Sequence, residues 1–413
     1  MKKSVFLFPG QGAQYGGMAG KEFLNTPQSI RIFNKASAIL GYDLRKICEE
    51  ADENQLRDTL ITQPAVFVTS YIHFEHVKYL LPTAQFMAGH SLGEYTALVC
   101  ANAISFEDAL RLVQKRAELM KNATVSGTMA AVNKVDPRFV ACICAEVSAP
   151  GAQVSIGAYN SNDQTVITGN HQGVKLVSNR CLALNGVVTP LKVSSPFHSQ
   201  LMKVAADSFR DDLHSVNFQK PTCKVISNTT GLPFNEANDI VDNLTAQLTN
   251  PIQWVQTVNY LRKNGVCFFT EIGPGKTLKN LLRGTPGLIA SSTDNQKDLN
   301  ALADVLKTSV ASVATLITTC LGIAMSIRNN NNDIQEYQVG MVEPYRSIKK
   351  LQWKLEQEGA YPSPQDIREA VDNFCKILRT KKIGETEEKY WLETLFAETG
   401  TLNLMPDYAE MLR

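Results

Sequence analysis

Short runs of continuous apolar residues alternate along this chain with longer stretches in which apolar positions recur every three or four residues. The first run, Ser4 to Phe8, precedes helical patterns around Ile30 to Leu40 and from Gln63 to Leu81, and a second run near Gln85 to Ala88 leads into a helix after Ser91. That alternation predicts a parallel sheet covered by helices. From Gly127 the pattern changes. Met129 to Val132, Val154 to Tyr159, Gln164 to Thr168 and Val187 to Val193 read as strands, with helical stretches at Pro137 to Val147 and Gly173 to Leu184 between them. The resulting βαββαβ order predicts a small inserted subdomain. The expected class is therefore α/β, with residues 1–126 and 195–306 as a large unit, 127–194 as the insertion and 307–413 as a helical extension.

Within the extension, Asn329 to Asn332 reads as a polar linker, followed by helices at Tyr345 to Glu358, Gln365 to Arg379 and Thr386 to Glu398. Tyr345, Trp353, Phe374, Trp391 and Phe396 are spaced to pack inward. Thr308 to Ile327 carries no charge and is long enough to span a bilayer. Its larger apolar residues (Val310, Val313, Ile317, Leu321, Ala324, Ile327) nevertheless form a stripe, which predicts a packed helix rather than a membrane span.

Composition narrows the function classes. The chain is 44% hydrophobic and 20% charged over 413 residues, a globular profile. Its 41 basic and 40 acidic residues create no broad field for nucleic acid, so an anionic partner must be held by a local site. Nine cysteines occur without a CxxC pair, and the nearest two, Cys142 and Cys144, alternate as on one strand. Neither a disulfide framework nor a metal site is indicated. The apolar run Val5 to Phe8 is cut by Pro9 and Gly10, short of a signal-peptide core, and a reduced, cytoplasmic setting is expected.

The strongest chemical signal is Gly89-His90-Ser91-Leu92-Gly93, a GxSxG pentapeptide between an apolar strand and a helix. That context suits a nucleophile elbow: flanking glycines relieve a strained turn, and helix-start N–H groups, notably that of Leu92, can face a developing oxyanion. The competing reading is a chance glycine-flanked serine in a βα loop. A serine nucleophile needs a base. Among six histidines, His73 and His76 lie in an apolar helical run, His214 in a charged helix, His171 in a glycine-flanked turn, and His90 beside the nucleophile. Elimination leaves His198, after a β segment, with a satisfied structural histidine as the alternative. The glycine cluster from Phe8 to Gly16 matches neither a dinucleotide fingerprint nor a P-loop. It reads as a second oxyanion donor or as a plain tight turn.

Together these segments resemble the malonyl-CoA:acyl carrier protein transacylases and the acyltransferase domains of polyketide synthases. The resemblance is carried by FPGQGAQ at Phe8 to Gln14, TQPA at Thr62 to Ala65, GHSLGEYTA at Gly89 to Ala97, QKRAELM at Gln114 to Met120, FHS at Phe197 to Ser199, NPIQW at Asn250 to Trp254 and EIGPGKTL at Glu271 to Leu278. It implies an α/β-hydrolase-like large domain with an inserted ferredoxin-like one. It further implies Ser91 as acyl carrier, His198 as base, backbone N–H groups of Gln11 and Leu92 as oxyanion hole, and Arg116, Gln63, His90 and Phe197 in the substrate pocket. The family orients its histidine through a main-chain carbonyl, here expected at Asn250. Arg116 would pair with the malonyl carboxylate through its planar fork. Phe197 would exclude an α-methyl branch, as in discrete polyketide enzymes.

The implied reaction is ping-pong transfer from malonyl-CoA to the phosphopantetheine arm of an acyl carrier protein, with no bound cofactor. An acyl-carrier hydrolase and a non-catalytic carrier-binding scaffold are the rivals. The extension either braces the core or docks a synthase partner or the carrier.

Overall fold

Among the described residues nine strands form two sheets: β1 (Lys3–Phe8), β2 (Phe86–Gly89), β3 (Thr128–Asn133), β4 (Val154–Tyr159), β5 (Gln164–Gly169), β6 (Val187–Pro190), β7 (Lys224–Ile226), β8 (Val266–Glu271) and β9 (Ile289–Ser292). The structure is a computed structural model. It describes residues 3–413 apart from 21, 53, 79–83, 124–125, 194, 296–297, 299–315, 359–363, 400, 403–404, 406, 409–411 and 413.

The larger sheet has the order β7-β2-β1-β8-β9 and is parallel throughout. Helices cover parallel strands on both faces, which is why β1 is a continuous apolar run, with Val5, Leu7 and Phe8 fully buried. β1 pairs with β2 in the register Val5 to Phe86 through Phe8 to Gly89, so both strands end at one edge and deliver their following loops side by side. Helix α3 (Thr59–Val77), capped by the Asp58 side chain on the Leu60 N–H, is buried along most of its length. After the elbow come α4 (Gly93–Cys100), buried at every position, and α5 (Phe106–Lys121), which starts on a Ser105 cap and buries Arg116 on its apolar face.

The smaller sheet is antiparallel, in the order β4-β5-β3-β6. Helices Pro137–Val147 and His171–Ala183 pack their apolar stripes on it around Val132, Val140, Ile167 and Val177. Two corrections arise here. Cys142 and Cys144 lie on the first of these helices, Cys142 exposed and Cys144 buried, so their spacing reflects a helix turn and not strand alternation. β6 stops at Pro190, short of Val193, with a last ladder bond from the Leu191 N–H to the Met129 carbonyl at 2.9 Å. Backbone bonds from Tyr159 N–H to the Ile252 carbonyl and from Ile252 N–H to the Gly157 carbonyl, at 2.9 and 3.0 Å, tie this sheet to the segment following helix α9 (Ala237–Gln247).

The chain divides into two compact units, 1–299 and 300–413, and the insertion falls within the first. The second has its own core, in which Ile317, Leu321, Ala324, Ile348, Phe374, Leu378 and Phe396 are buried. Residues 308–315 of the expected uncharged helix lie outside the described residues. The rest is helical over residues 316–326 with its stripe buried. No helix among the described residues is long and apolar enough to cross a membrane.

Asn329 to Asn332 is not a free linker. Asn331 is buried and its Nδ2 donates to the Thr380 carbonyl at 2.8 Å, while the Asn330 N–H reaches the Lys381 carbonyl. Trp353, expected to pack inward, is 63% exposed, because the helix Glu343–Glu358 turns Ile348 and Leu351 to the core instead.

Candidate active site

The turn after β2 places Ser91 at φ 52°, a left-handed conformation that non-glycine residues seldom adopt. Two glycines make the turn possible. A Cβ on Gly89 would lie 1.8 Å from the Gly93 carbonyl carbon, and one on Gly93 would lie 2.0 Å from the Phe8 carbonyl oxygen. The loop after β1 is equally close, since a Cβ on Gly10 would approach the His90 carbonyl oxygen at 2.3 Å and the Leu92 nitrogen at 3.7 Å. The loop that carries Gln11 therefore runs against the turn that carries Leu92.

A turn this sharp cannot satisfy its own backbone, and Asn228 does it instead. Its Oδ1 accepts from the Ser91 N–H at 2.6 Å, and its Nδ2 donates to the Gly89 carbonyl at 2.6 Å. The Asn228 N–H in turn donates to Glu94 Oε1 at 3.0 Å. Glu94 is fully buried, and burial pushes its carboxyl up to about 8 against the pull of these donors and of Arg116.

Ser91 Oγ lies 2.8 Å from His198 Nε2, although 107 residues separate them. His198 Nδ1 is 2.7 Å from the Gln247 carbonyl. Because a carbonyl only accepts, the ring proton sits on Nδ1, and the Nε2 lone pair faces the serine hydroxyl. This corrects the expected partner. Gln247 is the last residue of α9, where carbonyls lack intrahelical donors, whereas Asn250 lies in the following turn with its N–H on the Ala246 carbonyl. Burial, reinforced by the Arg116 charge, pushes the His198 imidazole down to about 3. The ring is thereby kept neutral, with its Nε2 able to accept a proton.

Arg116 is buried beside this pair. Its Nη2 donates to Ser91 Oγ and to Gln247 Oε1, each at 3.0 Å, and its Nη1 donates to Gln63 Oε1 at 2.6 Å. The guanidinium also lies 5.5 Å from the centre of the Tyr95 ring. Among the described residues no carboxylate comes within ion-pair distance of it. Gln247 is thus a hub: its carbonyl holds the histidine, its Oε1 holds Arg116, and its Nε2 donates to Glu94 and to the Ser91 carbonyl.

The remaining expected site residues fall nearby. His90 has its Nε2 2.8 Å from Asn160 Oδ1 and its ring 5.5 Å from that of Trp254, so it links the elbow to the smaller sheet. Phe197 is buried, and its carbonyl accepts from Thr168 Oγ1 at 2.7 Å. His198 itself has φ 59°. Gln247, Asn228 and Glu94 also belong to this site, although no motif assigned them a role. Glu94 had a signal, as a carboxylate in the otherwise uncharged helix GEYTALVC; the two amides had none.

The profile of the acyl transferase domain family matches residues 5–302. A malonyl CoA-acyl carrier protein transacylase of Bacillus subtilis is 33% identical over 398 residues, covering 94% of this chain and 99% of the relative, so the similarity extends into the C-terminal unit. The Escherichia coli K12 protein of that name is 38% identical over 309 residues, 73% of this chain and 99% of its own length. A solved malonyl-transacylase, in complex with a type II polyketide synthase acyl-carrier protein, superposes with a TM-score of 0.70 at 36% identity, covering 73% of this chain and 99% of that one. With the family profile spanning most of its length and relatives matched nearly end to end, this chain belongs to the acyl transferase domain family.

Proposed function

We propose that the protein transfers a malonyl group from malonyl-CoA to the phosphopantetheine thiol of an acyl carrier protein through an ester on Ser91. The observation that carries this reading is the buried guanidinium of Arg116, held by neutral amides 3.0 Å from the nucleophile with no carboxylate paired to it among the described residues. A buried cation left in that state is costly unless an anion completes it. An acyl group bearing a free carboxylate two bonds beyond its carbonyl supplies that anion, and a fork of guanidinium donors fits it in plane.

The chemistry then follows from the proton positions. His198 Nε2 takes the Ser91 proton as Oγ attacks the thioester carbonyl, and the N–H groups of Gln11 and Leu92 receive the oxyanion. Collapse breaks the C–S bond, and the imidazolium returns its proton to the departing coenzyme A sulfur. In the second half His198 deprotonates the carrier thiol, which attacks the ester, and Ser91 Oγ leaves with that proton.

We read the larger sheet as α/β-hydrolase-like and the smaller, from its βαββαβ order and β4-β5-β3-β6 arrangement, as ferredoxin-like. Phe197 acts as the wall against an α-branch. In a competition between malonyl-CoA and methylmalonyl-CoA, Phe197→Ser is expected to narrow the kcat/KM preference by about tenfold, the scale of one methyl group in a pocket; an unchanged ratio removes Phe197 from selectivity.

The reaction is tested with radiolabelled malonyl-CoA. Label is expected on the wild type, absent from Ser91→Ala, and chased onto a phosphopantetheinylated carrier. Release of the label as free malonate, with none on the carrier, would establish the hydrolase instead.

A further inference from the structure

The Arg116 site continues through a row of hydrogen bonds, buried as far as Thr59 and part-buried at Gln11, with no part in the proton transfers above. Arg116 Nη1 donates to Gln63 Oε1 at 2.6 Å, Gln63 Nε2 donates to Thr59 Oγ1 at 2.8 Å, and Thr59 Oγ1 donates to Gln11 Oε1 at 3.1 Å. Thr59, Gln63 and Arg116 are all buried. The row runs in one direction only. Arginine cannot accept, so Gln63 must turn its oxygen to it and its NH2 to Thr59; the threonine hydroxyl, having accepted, has one proton left for Gln11.

We propose that Thr59 is a positioning residue that couples the carboxylate-binding guanidinium of Arg116 to the Gln11 loop, so that the malonyl carboxylate is read with the oxyanion loop in place. This rests on the reading of Arg116 as the carboxylate clamp. Thr59 is in the first turn of α3 and Gln63 is one turn further on, a spacing that puts both on one helix face.

The hydroxyl of Thr59 does no helix-end duty. The N-cap is Asp58, and it is Thr62 that returns its hydroxyl to the Leu56 and Asp58 carbonyls. The other contact of Gln63 Nε2 is Met120 Sδ at 3.6 Å, a weak acceptor. Without the Thr59 oxygen, Gln63 Nε2 keeps only that sulfur, and the amide is fixed from the Arg116 side alone, so it can tilt and carry the guanidinium with it. On the other side, the Gln11 side chain loses its tie to α3. The loop keeps its local bond from the Gly12 N–H to Gln14 Oε1.

The test is the rate of Ser91 acylation by malonyl-CoA and by acetyl-CoA, which lacks the carboxylate, with thermal midpoints measured alongside. Thr59→Val removes the hydroxyl at constant shape and is expected to reduce the malonyl-over-acetyl preference in kcat/KM by about tenfold, a loss in the carboxylate-dependent part of the barrier. Thr59→Ser, which keeps the hydroxyl, is expected to restore the preference. Thr59→Ala serves the same purpose should the valine variant misfold. Equal slowing of both donors, or no change in their ratio, overturns the proposal, because a purely structural threonine would affect them alike. Arg116→Ala separates the two levels. If it leaves the preference intact, the clamp reading fails; if it abolishes the preference while Thr59→Val does not, the relay alone fails.

Discussion

Replacing His198 with alanine is expected to lower kcat for malonyl transfer by about 10³-fold, the scale of a positioned general base. The effect is large because, among the described residues, no other partner of Ser91 Oγ can take a proton. Its other neighbour, Arg116 Nη2, only donates. The remaining rate would come from the oxyanion donors and from binding. The pH profile carries a signed companion result. In the proposed reaction His198 works as the neutral ring, and its pKa is pushed from the ordinary 6.5 down to about 3 by burial and by Arg116. The acid limb of kcat/KM in the wild type is therefore expected well below pH 6.5. Arg116→Ala removes a cation that disfavours imidazolium, so the limb should move to higher pH, with acetyl-CoA as the donor to avoid confounding from carboxylate binding. A limb at 6.5 that ignores the Arg116 substitution would remove the electrostatic account of the base.

Gly89→Ala is expected to destabilise the first unit by more than about 3 kcal/mol, among the largest single-residue effects. The added carbon would fall 1.8 Å from one backbone atom of Gly93 and 2.0 Å from another, and neither is the end of a flexible side chain. Relief would require pulling β2 from α4, which would dismantle the turn that holds Ser91 at positive φ. Denaturant unfolding measures the loss, and failure to accumulate acyl-enzyme reports the local damage. Gly322→Ala is the matched control, with no atom within 4 Å of the added carbon, and in a helix interior it is expected to be neutral or stabilising by about 0.5–1 kcal/mol. Equal midpoints for the two variants would show that the elbow tolerates a side chain after all.

Both predictions concern residues that local pattern had already marked. Strands β1, β2, β4 and β5 follow the apolar runs, since a strand buried on both faces, or packed on one, must write its burial into consecutive or alternate positions. The elbow was legible for the same reason: its glycines answer to close backbone contacts within a few residues. Arg116 stood out only through resemblance, because an arginine on an amphipathic helix looks alike whether it faces solvent or a pocket.

What the chain by itself determined, then, is whatever short-range sterics and the burial period dictate: the α/β order, the helical C-terminal unit and the strained serine. Tertiary structure alone decided which carbonyl orients His198, why Glu94 is buried, and that Asn331 is a buried strut instead of a linker. It also turned Trp353 outward where spacing suggested core. Those outcomes depend on groups brought together across tens to hundreds of residues, and a hydrogen bond between such groups leaves no period in the sequence to be read.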